Sequence, residues 1–148
     1  MRFELSGDMV FDTSAVLELI DETKLGVMLR ERLESDSVFG HLTEVSISEA
    51  MYIICRRLGM KESSSRIGSL IESGYFQIEA SSALYQLAAK YKCVRSISIA
   101  DCFCLAAGEN LKLPVLFATR ERELKREMKV NPFQDVDVIF LEDFQLLK

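Results

Sequence analysis

Five acids stand where an α/β chain can use them for chemistry: Asp12, Glu49, Asp101, Glu121 and Glu123. Asp12 follows the apolar run Met9-Val10-Phe11 and leads into Thr13-Ser14, a helix-start cluster. Glu49 is expected in the first turn of the helix after the second strand. Asp101 is expected in the first turn of a helix that is apolar almost all round. Glu121 and Glu123 open the helix that follows the apolar run Val115–Ala118. Open α/β sheets bind ligands beyond the carboxyl ends of their strands, and all these acids fall at strand-to-helix junctions or helix starts. Carboxylates gathered there repel, and a like-charged pair at about 4 Å costs roughly 1–4 kcal/mol. A divalent cation relieves that repulsion, and an all-oxygen donor set selects Mg2+ or Mn2+ over zinc. Such an ion polarises a phosphoryl oxygen and acidifies water, so the implied chemistry is phosphodiester hydrolysis.

Each acid taken singly also has a structural explanation. Asp12 suits a helix N-cap, which stabilises by about 1 kcal/mol. Ser46-x-x-Glu49 spells a capping box, and Ser98-x-x-Asp101 resembles the same device. Glu121 and Glu123 in a first turn gain ~0.3–1 kcal/mol from the helix dipole. Capping accounts for each acid alone and leaves their gathering at one pole unexplained. Other chemistries fit less well. His41 is the one histidine, and no G-x-S-x-G elbow accompanies it, so it reads as structural. Cys55, Cys93, Cys102 and Cys104 lack the paired spacing of a zinc site and read as buried, reduced thiols. A haloacid-dehalogenase-type phosphatase needs an Asp two residues after Asp12, where this chain has Ser14. A response-regulator receiver needs an acidic pair at its first strand and a Lys-Pro after its last strand, and neither is present.

The elements that must position these acids follow from length and patterning. The 148 residues suit one domain spanning 1–148, with 1–8 as a lead-in and 142–148 as a short tail. A hydrophobic fraction of 49% supplies a core without staples. No run approaches the roughly 20 apolar residues of a membrane span, and Glu4 and Asp8 interrupt any secretory leader, so a cytoplasmic protein is expected. Strands are expected near Met9–Phe11, Val38–Leu42, Tyr75–Ile78, Val115–Ala118 and Val136–Leu141. Between them, apolar spacings of three and four predict helices over 15–20, 25–33, 47–58, 67–71, 84–91, 99–107 and 121–129. Strands alternating with helices imply a three-layer α/β/α sandwich around a parallel sheet of about five strands.

Charge sets the terms for a substrate. Eighteen Lys and Arg against 23 Asp and Glu leave −5, so no general basic surface draws in nucleic acid. A polyanion needs the metal or a local patch. Arg120, Arg122, Lys125 and Arg126 crowd beside Glu121 and are the candidate nucleic-acid contacts. The same residues, like Arg56, Arg57 and Lys61 near another helix end, also read as ordinary solvated charge.

The ordered acids resemble the motifs of the PIN domain family, most closely the small ribonuclease toxins of VapBC toxin–antitoxin modules. Val10-Phe11-Asp12-Thr13-Ser14-Ala15 is similar to the family's opening motif, and Ser48-Glu49-Ala50 to its second. Ser98-Ile99-Ala100-Asp101-Cys102 resembles the third, and Ala118-Thr119-Arg120-Glu121-Arg122-Glu123-Leu124 the fourth. In the fourth, Glu121 replaces the usual Asp and Leu124 the usual aromatic. The resemblance implies Mg2+- or Mn2+-dependent cleavage of RNA, with Asp12, Glu49 and Asp101 as metal ligands and either Glu121 or Glu123 as the fourth acid. It gives Thr13 or Ser14 the orienting of the first carboxylate, and Thr119 the same part at the fourth corner. It further implies a homodimer and an antitoxin partner. The alternative is a catalytically degenerate domain of the same family that binds RNA or protein.

Overall fold

The computed structural model describes residues 4–145. Five strands form one sheet: β1 (Gly7–Phe11), β2 (Val38–Thr43), β3 (Phe76–Glu79), β4 (Val115–Phe117) and β5 (Val138–Phe140). Every pairing is parallel, in the order β3-β2-β1-β4-β5. Parallel neighbours need crossover connections, and helices supply them. They are α1 (Thr13–Ile20), α2 (Lys24–Glu34), α3 (Glu44–Leu58), α4 (Met60–Glu72), α5 (Tyr85–Val94), α6 (Ile99–Leu111), α7 (Arg122–Val130) and α8 (Leu141–Gln145).

Alternation along the central strands builds two cores. Met9 and Phe11 of β1 and Leu116 of β4 face a cluster with Val16, Leu29, Ala50, Ile54 and Ile67, from α1 to α4. Val10, Val115 and Phe117 face the opposite cluster, with Ala88, Leu105 and Leu124 from α5, α6 and α7. The three-layer α/β/α sandwich expected from the sequence is the observed one. Both faces of β1 and β4 are buried, which is why these strands read as unbroken apolar runs.

Several boundaries differ from expectation, the largest helix difference being α4, which begins at Met60 rather than near Ile67; two others matter for the site. β1 begins at Gly7 rather than Met9, since Gly7 and Asp8 pair with Val38 and Phe39 of β2. Thus Gly7 and Asp8, expected in a lead-in, belong to the sheet, and Leu5 is buried ahead of them; residues 1–3 lie outside the described residues. α3 begins at Glu44, directly after β2, with Thr43 as its N-cap accepting from the Ser46 N–H at 3.0 Å. The supposed tail opens with α8, while 146–148 lie outside the described residues.

His41 is structural, as expected. On β2 its Nε2 lies 3.2 Å from Asp8 of β1 and its Nδ1 3.4 Å from Glu79 of β3, tying three strands together. Of the thiols, Cys102 and Cys104 are buried, Cys55 is half-buried and Cys93 is exposed, so burial holds for two of the four; all are free.

One close approach fixes how α2 lies on α1. A Cβ at Gly26 would stand 1.8 Å from the backbone oxygen of Glu18, which cannot rotate away. Gly26→Ala is therefore expected to destabilise by about 2–3 kcal/mol, the scale of forced overpacking, and to lower the melting temperature by about 5–10 °C. Thermal unfolding followed by circular dichroism checks this.

Candidate active site

The sheet order reverses between β1 and β4, the place where an open α/β sheet leaves a crevice. Asp12 sits at that point. Its backbone N–H donates to Leu116 of β4 at 2.8 Å, closing the β1–β4 pairing just before α1 departs. Asp12 is also the N-cap of α1, with Oδ2 accepting from the Ser14 N–H at 2.9 Å. One carboxylate oxygen is thus committed to the helix. The other, Oδ1, has the Cys104 thiol 3.8 Å away, in a residue that also lies 3.2 Å from Ser46 Oγ. Burial raises the Cys104 thiol far above its ordinary pKa, which keeps it an S–H donor toward Asp12. Sequence reasoning does not single out Cys104 or Ser46 for the site. The available signal is a polar-capable side chain on α6 three residues beyond Asp101, on a helix buried on nearly every side.

Asp101 meets Asp12 from α6. Ser98 caps that helix, its Oγ accepting from the Asp101 N–H at 3.1 Å. The Asp101 carboxyl is pushed up to about 8, first by burial, then by the Asp12 charge and a hydrogen bond with Asp12, and further by Glu121. Only the Ser98 hydroxyl, among these causes, favours the ionised form. Glu121 is likewise raised, by partial burial and then by Asp12, Glu49 and Glu123. Asp12, Glu49, Asp101 and Glu121 therefore share one field at the carboxyl end of the sheet.

For two of the four, the structural explanation by capping does not hold. Thr43, not Ser46, caps α3, which places Glu49 half-buried in the second turn with no cap to make. Glu121 stands at the N-cap of α7, yet its side chain makes no capping hydrogen bond, and Glu123 occupies the first turn. Neither carboxylate is held by a capping bond.

The auxiliary residues divide. Ser14 Oγ accepts from the Ala118 N–H at 3.0 Å and fastens α1 to the end of β4, so it is the Ser14 backbone, not its hydroxyl, that holds Asp12. Thr13 Oγ1 is buried without a hydrogen-bond partner among the described residues. Thr119 is exposed, its carbonyl accepting from the Glu121 N–H at 3.0 Å. Arg122, Lys125 and Arg126 are exposed on α7 and make no ion pair among the described residues. Arg120 differs from its neighbours. Its guanidinium donates to Glu142 at 3.0 Å and to both Asp143 oxygens at 2.7 Å, over the Phe140 ring. Its charge is paired at the surface with the carboxylates of α8.

The donor set fits a hard divalent ion: four carboxylates, one of them strongly raised by its neighbours, beside an orphaned hydroxyl at Thr13. Among the described residues, no three His, Cys, Asp or Glu side chains close on a single point at coordinating range. The acids act on one another electrostatically without forming a finished cage. Among the described residues, no helix is long and apolar enough to cross a membrane.

Comparison with solved structures gives the same fold. The chain superposes on the VapC20 toxin of Mycobacterium tuberculosis, which cleaves the sarcin–ricin loop, with a TM-score of 0.64 at 15% identity, covering 87% of this chain and 98% of that one. VapBC2 from Rickettsia felis, bound to a DNA fragment from its promoter, gives 0.64 at 9% identity over 90% and 98%. FitAcB from Neisseria gonorrhoeae gives 0.55 at 19% identity over 90% and 98%. Among curated proteins, none matches the sequence. The family model of the PIN domain matches residues 9–127, a span that holds Asp12, Glu49, Asp101 and Glu121. With that match over most of its length, the chain belongs to the PIN domain family.

Proposed function

We propose that this protein is a divalent-metal-dependent ribonuclease, with Asp12, Glu49, Asp101 and Glu121 as the acids that hold Mg2+ or Mn2+. The observation that carries this reading is the PIN domain match over residues 9–127, which holds all four acids, with Asp12 at the β1–β4 crevice and the charges of Asp12 and Glu121 bearing on Asp101. A bound divalent ion supplies Lewis-acid polarisation of the phosphodiester and acidifies attacking water. The protein's part is positioning. Ser14 N–H and the Cys104 thiol fix the two oxygens of Asp12, and Ser98 steadies the turn that carries Asp101. Glu123 lies in the first turn of α7 as a second acid at the fourth corner.

Substrate binding falls to Arg122, Lys125 and Arg126, exposed on the helix that Glu121 begins. Arg120 is left out of this set because Glu142 and Asp143 occupy it. Replacing Arg122, Lys125 and Arg126 together by Ala is expected to weaken RNA binding several-fold at low salt. Each phosphate that goes unneutralised should flatten the log–log salt dependence by about 0.7. Titrations at several salt concentrations read that slope; an unchanged slope removes these residues from the interface.

We further propose, from the likeness to the VapBC and VapC structures, that the chain is the toxin of a toxin–antitoxin pair; a homodimer and a cytoplasmic location are what the family resemblance adds to that reading. A second reading, a degenerate domain that binds RNA or protein without cutting, is favoured by the open spacing of the acids and by Glu at position 121. Labelled single-stranded RNA incubated with the protein and Mn2+ separates them. Cleavage abolished by EDTA supports the nuclease. No cleavage of several RNAs, together with no calorimetric signal for Mn2+, supports the degenerate domain.

A further inference from the structure

The fourth acid, Glu121, is carried by a short and open segment at the edge of the crevice. Between the end of β4 and the start of α7 lie Ala118 to Glu121, and Thr119, Arg120 and Glu121 are exposed. Glu121 makes no capping bond that would hold its side chain. Little within the segment itself fixes where its carboxylate points: its own N–H reaches only back to the Thr119 carbonyl.

The segment is instead gripped from outside, by the first turn of α8. The Glu142 N–H donates to the Ala118 carbonyl at 3.0 Å, and the Arg120 N–H donates to Glu142 Oε1 at 3.1 Å. These two bonds clamp the backbone on either side of Thr119. The Arg120 side chain repeats the grip, with one guanidinium nitrogen shared between Glu142 at 3.0 Å and Asp143 at 2.7 Å and the other on Asp143 at 2.7 Å. Bidentate arginine–carboxylate pairing fixes direction as well as distance. Beneath it the guanidinium stacks 4.2 Å from the Phe140 ring centroid, and the next residue, Leu141, is fully buried. The clamp is therefore anchored in the core, while the segment it holds is not.

We infer that Glu142 and Asp143, acting through Arg120 and the backbone beside it, are positioning residues that hold the segment carrying Glu121 at the end of β4, beside the Asp12 end of β1. This rests on the metal-dependent reading above, with Glu121 as the fourth acid. Its chemistry is that of groups one step behind a ligand, whose loss costs metal affinity about 10–100-fold elsewhere. It also explains why an arginine at the mouth of an acidic crevice neither neutralises the acids nor faces RNA. Arg120 has its counter-charges in α8.

The test compares the full chain with Glu142→Ala/Asp143→Ala, with Glu142→Gln/Asp143→Asn, and with Glu121→Ala. Two quantities are read: Mn2+ affinity by calorimetry, and amide exchange at Arg120 and Glu121 without metal. The alanine pair is expected to bind Mn2+ about tenfold more weakly, close to Glu121→Ala, and to exchange faster at Arg120. The amide pair keeps an acceptor for the Arg120 N–H and is expected to recover part of the affinity. Arg66→Ala, which removes an exposed i,i+4 ion pair with Glu62, serves as the control and should change neither quantity. Unaltered Mn2+ affinity in the alanine pair alongside weaker binding in Glu121→Ala overturns the inference and leaves the metal site standing. If the wild-type chain binds no Mn2+, the metal-dependent reading fails, and with it the role assigned to the clamp. The exchange data separately decide whether the clamp orders the segment, and unchanged exchange in the alanine pair overturns that as well.

Discussion

Asp12→Asn is expected to lose metal-dependent RNA cleavage by about a hundredfold or more while its melting temperature in EDTA does not fall, and rises by a few degrees as the charge facing Asp101 is removed. Both halves follow from the two oxygens of Asp12. Oδ2 is an N-cap, accepting from the Ser14 N–H at 2.9 Å, and Asn caps helices about as well as Asp. The amide oxygen keeps that bond and the start of α1 with it. What disappears is the negative charge at the crevice, where groups merely supporting a metal ligand are worth about 10–100-fold and a ligand itself more. Asp12→Ala loses the cap as well and should stand ~1 kcal/mol below Asp12→Asn in stability. Comparing the two variants separates the helix role from the site role in one side chain. Initial rates on single-stranded RNA with Mn2+, and thermal melts in EDTA, supply both readings. Undiminished cleavage by Asp12→Asn would remove Asp12 from the reaction.

The sheet is legible in the sequence because its central strands are buried on both faces. Val10, Phe11, Val115, Leu116 and Phe117 have no polar residue among them to blur the pattern. The start of β1 is not, because Gly7 and Asp8 join the sheet through backbone pairing at its end, where side chains carry no apolar signal. The places of several acids are legible, since Asp12 caps α1, Asp101 lies in the first turn of α6 and Glu123 in the first turn of α7. Capping misleads at Glu49. Ser46-x-x-Glu49 spells a box, but β2 passes into α3 with no loop, so Thr43 takes the cap three residues earlier. Arg120 misleads for another reason. Its partners, Glu142 and Asp143, lie more than twenty residues downstream in a stretch that looks like a polar tail. Short-range charge patterning cannot find a partner at that distance. Cys104 is hidden by its neighbours, since a thiol on a helix buried all round looks like one more small apolar residue until Asp12 is placed beside it.

Asp101→Asn and Mn2+ are expected to act as opposing stabilisers, so that the melting curves of wild type and variant exchange order when metal is added. Asp101 is half-buried, and burial, the neighbouring Asp12 carboxylate and the field of Glu121 all raise it, with the Ser98 hydroxyl as the one offsetting influence among the largest. Asn is neutral without taking up a proton, whereas the Asp101 carboxyl, raised to about 8, must on folding near neutral pH either bind one or stay charged beside Asp12. The α6 cap survives, because Ser98 accepts from the backbone N–H of residue 101 rather than from its side chain. Relief of one such like-charged pair in a partly screened site is worth about 1–2 kcal/mol, so in EDTA the variant should melt roughly 3–6 °C above wild type. In Mn2+ the balance reverses. At a hundred times its dissociation constant a ligand adds ~2.7 kcal/mol to the folded state, and the variant, lacking a ligand carboxylate, should retain little of that. Mn2+ stabilising both proteins equally would take Asp101 out of the metal site. A variant that melts below wild type in EDTA would mean that the Asp101 charge stabilises the fold where it stands, and that the crevice is not strained by the acids it gathers.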